Sequence, residues 1–180
     1  LTAVVQADGS WQVEGPQVLA EGEFEGQASV TDAAGNSASD TEQGVIDVSA
    51  PELTIDSPAI TNDTTPIITG TSSEVGGTVI VIVSDAEGNR QTLEATVQQD
   101  GSWQVQTQQP LGEGIYQVYA SVVDASGNNA NDTAQGEVDT TAPSLTLTPL
   151  GVTNDPTPVI SGTSDEIGAT IAVEVVDANG

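Results

Sequence analysis

The sequence has no cysteine, no histidine and only one basic side chain, Arg90. Each absence closes a class of function. Without Cys or His there is no thiol or imidazole nucleophile, no Ser-His-Asp triad and none of the usual zinc ligand sets. Disulfides are excluded, so cysteine usage says nothing about the compartment. Against one basic residue stand 27 acidic ones, a formal net charge of −26. Nucleic acid and anionic membrane are gripped through Lys and Arg, so neither is an expected partner. A charge of this size repels itself, and a fold that tolerates it is expected in high salt, with bound cations, or both. No apolar run reaches the length of a membrane span, and no signal-peptide pattern is present. The segment is expected to be internal to something longer.

What is present is a pattern of short strands. Val, Ile and Thr are abundant, apolar residues alternate with polar ones, and Gly, Asn and Asp cluster between the runs. No stretch sustains a 3.6-residue period, so almost no helix is expected.

Sliding the sequence by 92 positions aligns it with itself without a gap. Of the 88 pairs that overlap, 48 are identical. "DGSWQV" recurs at 8–13 and 100–105, "DAAGN" at 32–36 matches "DASGN" at 124–128, and "TNDTTPIITGTSSEVGGT" at 61–78 matches "TNDPTPVISGTSDEIGAT" at 153–170. The period is too long for a solenoid unit and suits a complete small domain in a tandem array. Residues 49–140 make one whole repeat. Residues 1–48 match its C-terminal part and 141–180 its N-terminal part. The two partial repeats are expected to be completed by a longer continuous chain or by strands from a neighbouring molecule, head to tail.

Within one repeat, alternation predicts which residues face inward: Leu53 and Ile55 on a first strand, then Ile68, then Val79, Val81 and Val83. A fourth strand is expected near 91–97, then one with Trp103 and Val105, one with Tyr116, Val118, Ala120 and Val122, and a last after the "DASGN" turn. Ile171, Val173 and Val175 keep the pattern in the third repeat. Seven short strands in about 100 residues describe an all-β, immunoglobulin-like β-sandwich, here in tandem. Phe24 stands where Tyr116 does, so a tyrosine-corner bond is open to one copy only. Trp11 and Trp103 alternate with Val13 and Val105, which favours a core role over sugar stacking. Tyr119, matched by Gln27, is expected to face outward.

Together, "DxxAPxLT", "TNDxTPxIxGTSxE", "DGSWQV" and "DAxGN" resemble the bacterial Ig-like repeats of very large RTX-type surface adhesins exported by type I secretion. The resemblance covers the whole chain. It implies an extracellular stalk on the bacterial cell surface, stiffened by calcium near the domain junctions. Such repeats stand between a membrane-proximal anchor and distal adhesive domains that would meet a host or surface target, as in biofilm adhesion. The implied partners of this segment are its neighbouring repeats, with no direct membrane contact.

In such a sandwich the loops at 71–77 and 124–128 lie at the end where the first strand begins. The linker residue Asp47 is then expected near Glu74 and Asp124, and its counterpart Asp139 near Asp165 and Glu166. Asp32 is the equivalent of Asp124 one repeat earlier. Carboxylates without a basic neighbour repel, and Ca²⁺, which takes six to eight oxygens in loose geometry, relieves this better than the stricter Mg²⁺. The structural alternative stays open for each residue. Asp32 and Asp124 begin Asp-x-x-Gly-Asn turns, where Asp caps its own turn, and Glu74 and Glu166 suit solvated loops. Asp8 and Asp100 are expected as hairpin-turn residues, and Asp63, Asp85, Asp155 and Asp177 at the opposite end of the sandwich. Paired carboxylates also serve glycosidases, but that chemistry needs a cleft and one raised pKa. No enzyme is expected. A glycan- or protein-binding module acting through its own loops is the alternative to a spacer.

Overall fold

Alternating Val and Ile on a pleated strand put one row of side chains on each face, and the apolar row must find a second sheet. The computed structural model, which describes residues 1–15, 17–56 and 60–177, shows where this happens. The seven strands between 53 and 138 form two sheets. One has three strands: β3 (Leu53–Asp56), β4 (Ile67–Ser72) and β7 (Ser102–Gln106), in the order β3-β4-β7. The other has four: β5 (Thr78–Ser84), β6 (Arg90–Thr96), β8 (Gly114–Val123) and β9 (Asn129–Val138), in the order β6-β5-β8-β9. All neighbours in both sheets are antiparallel.

The core between them holds Ile68, Val79, Val81, Val83, Trp103, Tyr116, Val118, Ala120 and Val122, with Leu53, Ile55 and Val105 packed at its edge. These are the residues that alternation points inward. The chain is all-β, an immunoglobulin-like sandwich, and no helix occurs among the described residues. Tyr119 is partly exposed on the outer face, as expected.

The flanking segments carry the same local pattern. β1 (Gly22–Thr31) and β2 (Ser37–Ile46) pair with Phe24 opposite Gly44, as Tyr116 lies opposite Gly136. β10 (Leu145–Leu147) pairs with β11 (Gly162–Ser164) as β3 pairs with β4. Neither segment has two full sheets, and its apolar residues show it. Trp103 is 1% exposed but Trp11 is 52%; Val81 is 0% exposed but Val173 is 55%. Ile171, Val173 and Val175 keep the inward-facing sequence pattern, yet they lie outside any strand and remain exposed. A single sheet cannot cover its own apolar face. The end of the third segment, 178–180, lies outside the described residues.

Two features tie the outermost strands together. The side chain of Asp132 on β9 accepts a hydrogen bond from the Ile55 amide of β3 at 2.9 Å. Further along, Thr61 pairs in parallel with Val138. There the Thr61 amide donates to the Glu137 carbonyl and the Asp139 amide to the Thr61 carbonyl, both at 2.9 Å.

Candidate functional site

The turn between β8 and β9 is built by one carboxylate. Asp124 Oδ1 accepts from the amides of Ser126 (2.9 Å) and Asn128 (2.8 Å), and its Oδ2 from Asn128 Nδ2 (2.9 Å). The Asn128 side chain, and then backbone amides of the turn, hold its pKa below the ordinary value. Hydrogen bonds that favour the charged form have this effect.

This turn meets the linker of the preceding repeat. Asn128 Nδ2 also donates to the Asp47 carbonyl at 3.1 Å, and Ser126 Oγ donates to Asp47 Oδ2 at 3.1 Å. Asp47 Oδ1 accepts from the Ser49 amide at 3.1 Å. Asp47 and Asp124 are thus brought to one place through Ser126 and Asn128. Glu74, in the loop between β4 and β5, donates its amide to Ser72 Oγ at 3.2 Å. Among the described residues, no group of three or more acidic side chains is arranged to hold a metal ion. The expected three-carboxylate point is not assembled in these side-chain positions. The Asp47 and Asp124 oxygens meet there through the Ser126 hydroxyl and the Asn128 amide, which donate to them; carboxylate and carbonyl oxygens are the kind that a hard cation such as Ca²⁺ takes.

The second joint is held differently. Asp139 Oδ1 accepts from the Thr141 amide at 3.0 Å, repeating the Asp47–Ser49 bond. Asp165 accepts the Ser144 amide on both oxygens, at 2.9 and 3.2 Å, and the Ser144 side chain first, then this amide, lowers its pKa. In the middle repeat the same position is Ser73, whose hydroxyl accepts the Glu52 amide at 2.9 Å. Asp165 therefore has a local role that a serine can also fill. The Glu166 amide donates to Ser164 Oγ at 3.2 Å, just as Glu74 does to Ser72. Asp32 caps its own turn through Asn36 Nδ2 and the Asn36 and Ala34 amides, and the Asn36 side chain first, then these amides, depresses its pKa.

Two further carboxylates touch the linkers, and sequence reasoning did not single them out. Glu21 Oε1 accepts from Ser49 Oγ at 2.6 Å. Glu113 takes Thr140 Oγ1 on one oxygen and Thr141 Oγ1 on the other, both at 2.6 Å. The Thr140 hydroxyl first, then Thr141, pulls the Glu113 pKa down. The signal was present: "EG" recurs at 21–22 and 113–114, each time 26 residues before the linker aspartate.

Five other aspartates are turn-makers. Asp8 and Asp100 each accept from the amide and hydroxyl of the serine two residues on. Asp63 and Asp155 bind Thr65 and Thr157 in the same way. Asp85 is buried and accepts four bonds, from the Glu87, Asn89 and Gly112 amides and from Asn89 Nδ2.

Comparison with known proteins agrees with this architecture. A family model described as "Bacterial Ig-like domain" matches residues 1–48 and 53–140. A crystal structure of a tetra-tandem repeat in the extending region of a large adhesion protein is similar, with 35% identity and a TM-score of 0.51. The match covers 81% of this chain and 39% of that one, so this chain spans well under half its length. A Ca²⁺-stabilized adhesin with which an Antarctic bacterium binds ice matches over 80% of this chain and 39% of its own, at 22% identity and a TM-score of 0.43. No curated protein matches.

Proposed function

The chain belongs to the bacterial Ig-like domain family, and from that premise we propose that it is a run of stalk repeats from an extracellular, cell-surface adhesin. In this reading 49–140 is one complete repeat, 1–48 and 141–180 belong to its neighbours, and calcium at the joints sets how rigidly the repeats align. The repeats carry no catalysis of their own and hold adhesive domains away from the cell.

The observation that carries the proposal is the meeting of the Asp47 linker with the Asp124 turn through Ser126 and Asn128. It brings the Asp47 carboxylate and carbonyl and the Asp124 carboxylate to one joint, and such oxygens are what a hard cation prefers. Asp47 and Asp124 would hold the ion, with the Glu74 carboxylate and backbone carbonyls or water completing six to eight oxygens. At the next joint Asp139 takes the place of Asp47 and Glu166 that of Glu74, with Asp165 beside it, while Glu113 grips the linker as Glu21 does at the first. The family likeness to the extending region of a large adhesion protein supports the spacer part of the reading.

Small-angle scattering tests it. The chain should be longer and stiffer in millimolar Ca²⁺ than in chelator, with half-saturation at about 10⁻⁴–10⁻³ M as for other extracellular modules. Asp47→Ala should abolish the response of one joint only. Superimposable profiles with calcium and with chelator would refute calcium rigidification.

A further inference from the structure

A spacer is pulled from both ends, and this sandwich is built in a way that bears on how it resists. The chain enters the middle repeat at Asp47, bonded to the turn that precedes β9, and leaves at Asp139, directly after β9. The two points are one 10-residue strand apart, roughly 33 Å. β3 is the first strand and β9 the last, and they belong to different sheets. The ladders of the two sheets leave the edge between them unpaired, yet three hydrogen bonds cross it. Ile55 N donates to Asp132 Oδ2, Thr61 N to the Glu137 carbonyl, and Asp139 N to the Thr61 carbonyl. Ile55 faces Asp132 and Thr61 faces Val138 at the same sequence offset. At these two points the chain is therefore aligned in parallel at one register.

We infer that the β3–β9 seam, with Asp132 as its side-chain staple, is the element that resists stretching of the repeat. Tension draws the first strand back toward its own start and the last strand forward toward its end. For two parallel neighbours this is shear. The bonds lie across the pull, and all must stretch before any one is released. Antiparallel neighbours pulled from adjacent ends would instead unzip one bond at a time. The main chain supplies two of the three bonds, whatever the sequence. The third depends on one side chain, and its acceptor is a carboxylate, which makes it the stronger kind. Asp132 is held in place by the Thr133 amide on its other oxygen, at 2.8 Å. In the preceding segment Asp40 accepts the Thr41 amide at 3.0 Å in the same manner, and Thr61 recurs as Thr153. The residues of the seam thus recur with the repeat.

This inference rests on the spacer reading but not on calcium, and the test separates the two. The full chain is tethered by its ends and stretched in chelator and in millimolar calcium. Unfolding of the middle repeat is recognised by the release of about 300 Å of chain. Forced unfolding reports the unfolding rate rather than equilibrium stability. Asp132→Ala should raise the forced-unfolding rate about tenfold in both conditions, the 1.4 kcal/mol per decade expected of a charge-assisted bond. Asp132→Asn, which keeps the shape and an acceptor, should fall between. Val81→Ala, a core truncation away from the seam, should lower chemical stability more but the unfolding force less. An unchanged force in Asp132→Ala, or a greater loss in Val81→Ala, would overturn the inference. A staple that acts only in calcium would overturn it too, by assigning the resistance to the joint.

Discussion

Asn128 uses both hydrogens of its side-chain amide on different repeats, one on the Asp124 carboxylate and one on the Asp47 carbonyl. It therefore reports on the joint without depending on any ion. Asn128→Ala should cost about 1–2 kcal/mol through the loss of these bonds. Asn128→Asp should cost more in chelator, because it removes the donor and adds a third negative charge beside Asp47 and Asp124. In millimolar calcium it should recover or exceed the native melting temperature, because the new group is a ligand. Should Asn128→Asp melt no lower than Asn128→Ala in chelator, the carboxylates are too far apart to share an ion. At this scale the sequence was only partly legible. The repeat marked Asp47 and Asp124, and the sandwich topology brought them together. Glu21 and Glu113 escaped because a glutamate before a strand reads as a solvated residue; only the folded linker shows the hydroxyls that it grips.

Strand positions were the most legible, because a period of two decides facing and the facing residues decide the core. What alternation does not reveal is the close approach of one strand to another's side chain. Gly70, in the middle of β4, lies beneath the indole of Trp103: a Cβ placed there would come within 2.5 Å of the ring. It would also meet the carbonyl of Thr54 on β3. Glycine inside a strand is weak by propensity and often marks such an approach. Gly162 occupies the same place in β11. Gly70→Ala should destabilise the middle repeat by overpacking, about 1–3 kcal/mol, seen as a lower urea midpoint with an unchanged slope. Gly76→Ala acts by another route, because its φ of +81° disfavours any side chain although space is open. The two substitutions therefore separate steric crowding from backbone strain. A neutral Gly70→Ala would mean that the indole can shift, and that β4 and β7 are packed less tightly than the geometry indicates.

Over the whole molecule two electrostatic effects oppose each other, and pH separates them. At neutral pH the net charge of −26 repels itself, which favours the expanded chain. Protonation toward the isoelectric point, near 4.1, relieves this. The capping carboxylates act in the other direction. Asp32, Asp85, Asp100, Asp124, Asp165 and Glu113 have folded pKa values below their ordinary 3.8 or 4.5. A depressed value means that the folded state holds its proton less tightly than the unfolded state. The stability these groups contribute is complete above the unfolded value and is lost as pH falls through the folded one. At low salt and without calcium, the melting temperature should therefore rise as pH falls from 7 to about 5, as repulsion eases. It should then drop below about pH 4, where the turn and linker caps lose their charge. Added salt at about 1 M shortens the Debye length to about 3 Å, so it should flatten the first limb and leave the second, which depends on hydrogen bonds in contact. A melting temperature that falls steadily from pH 7 to 3 at low salt would show that the repeats hold their charge without strain. Bound cations would then be needed only to align the joints, and the folded state would not depend on them.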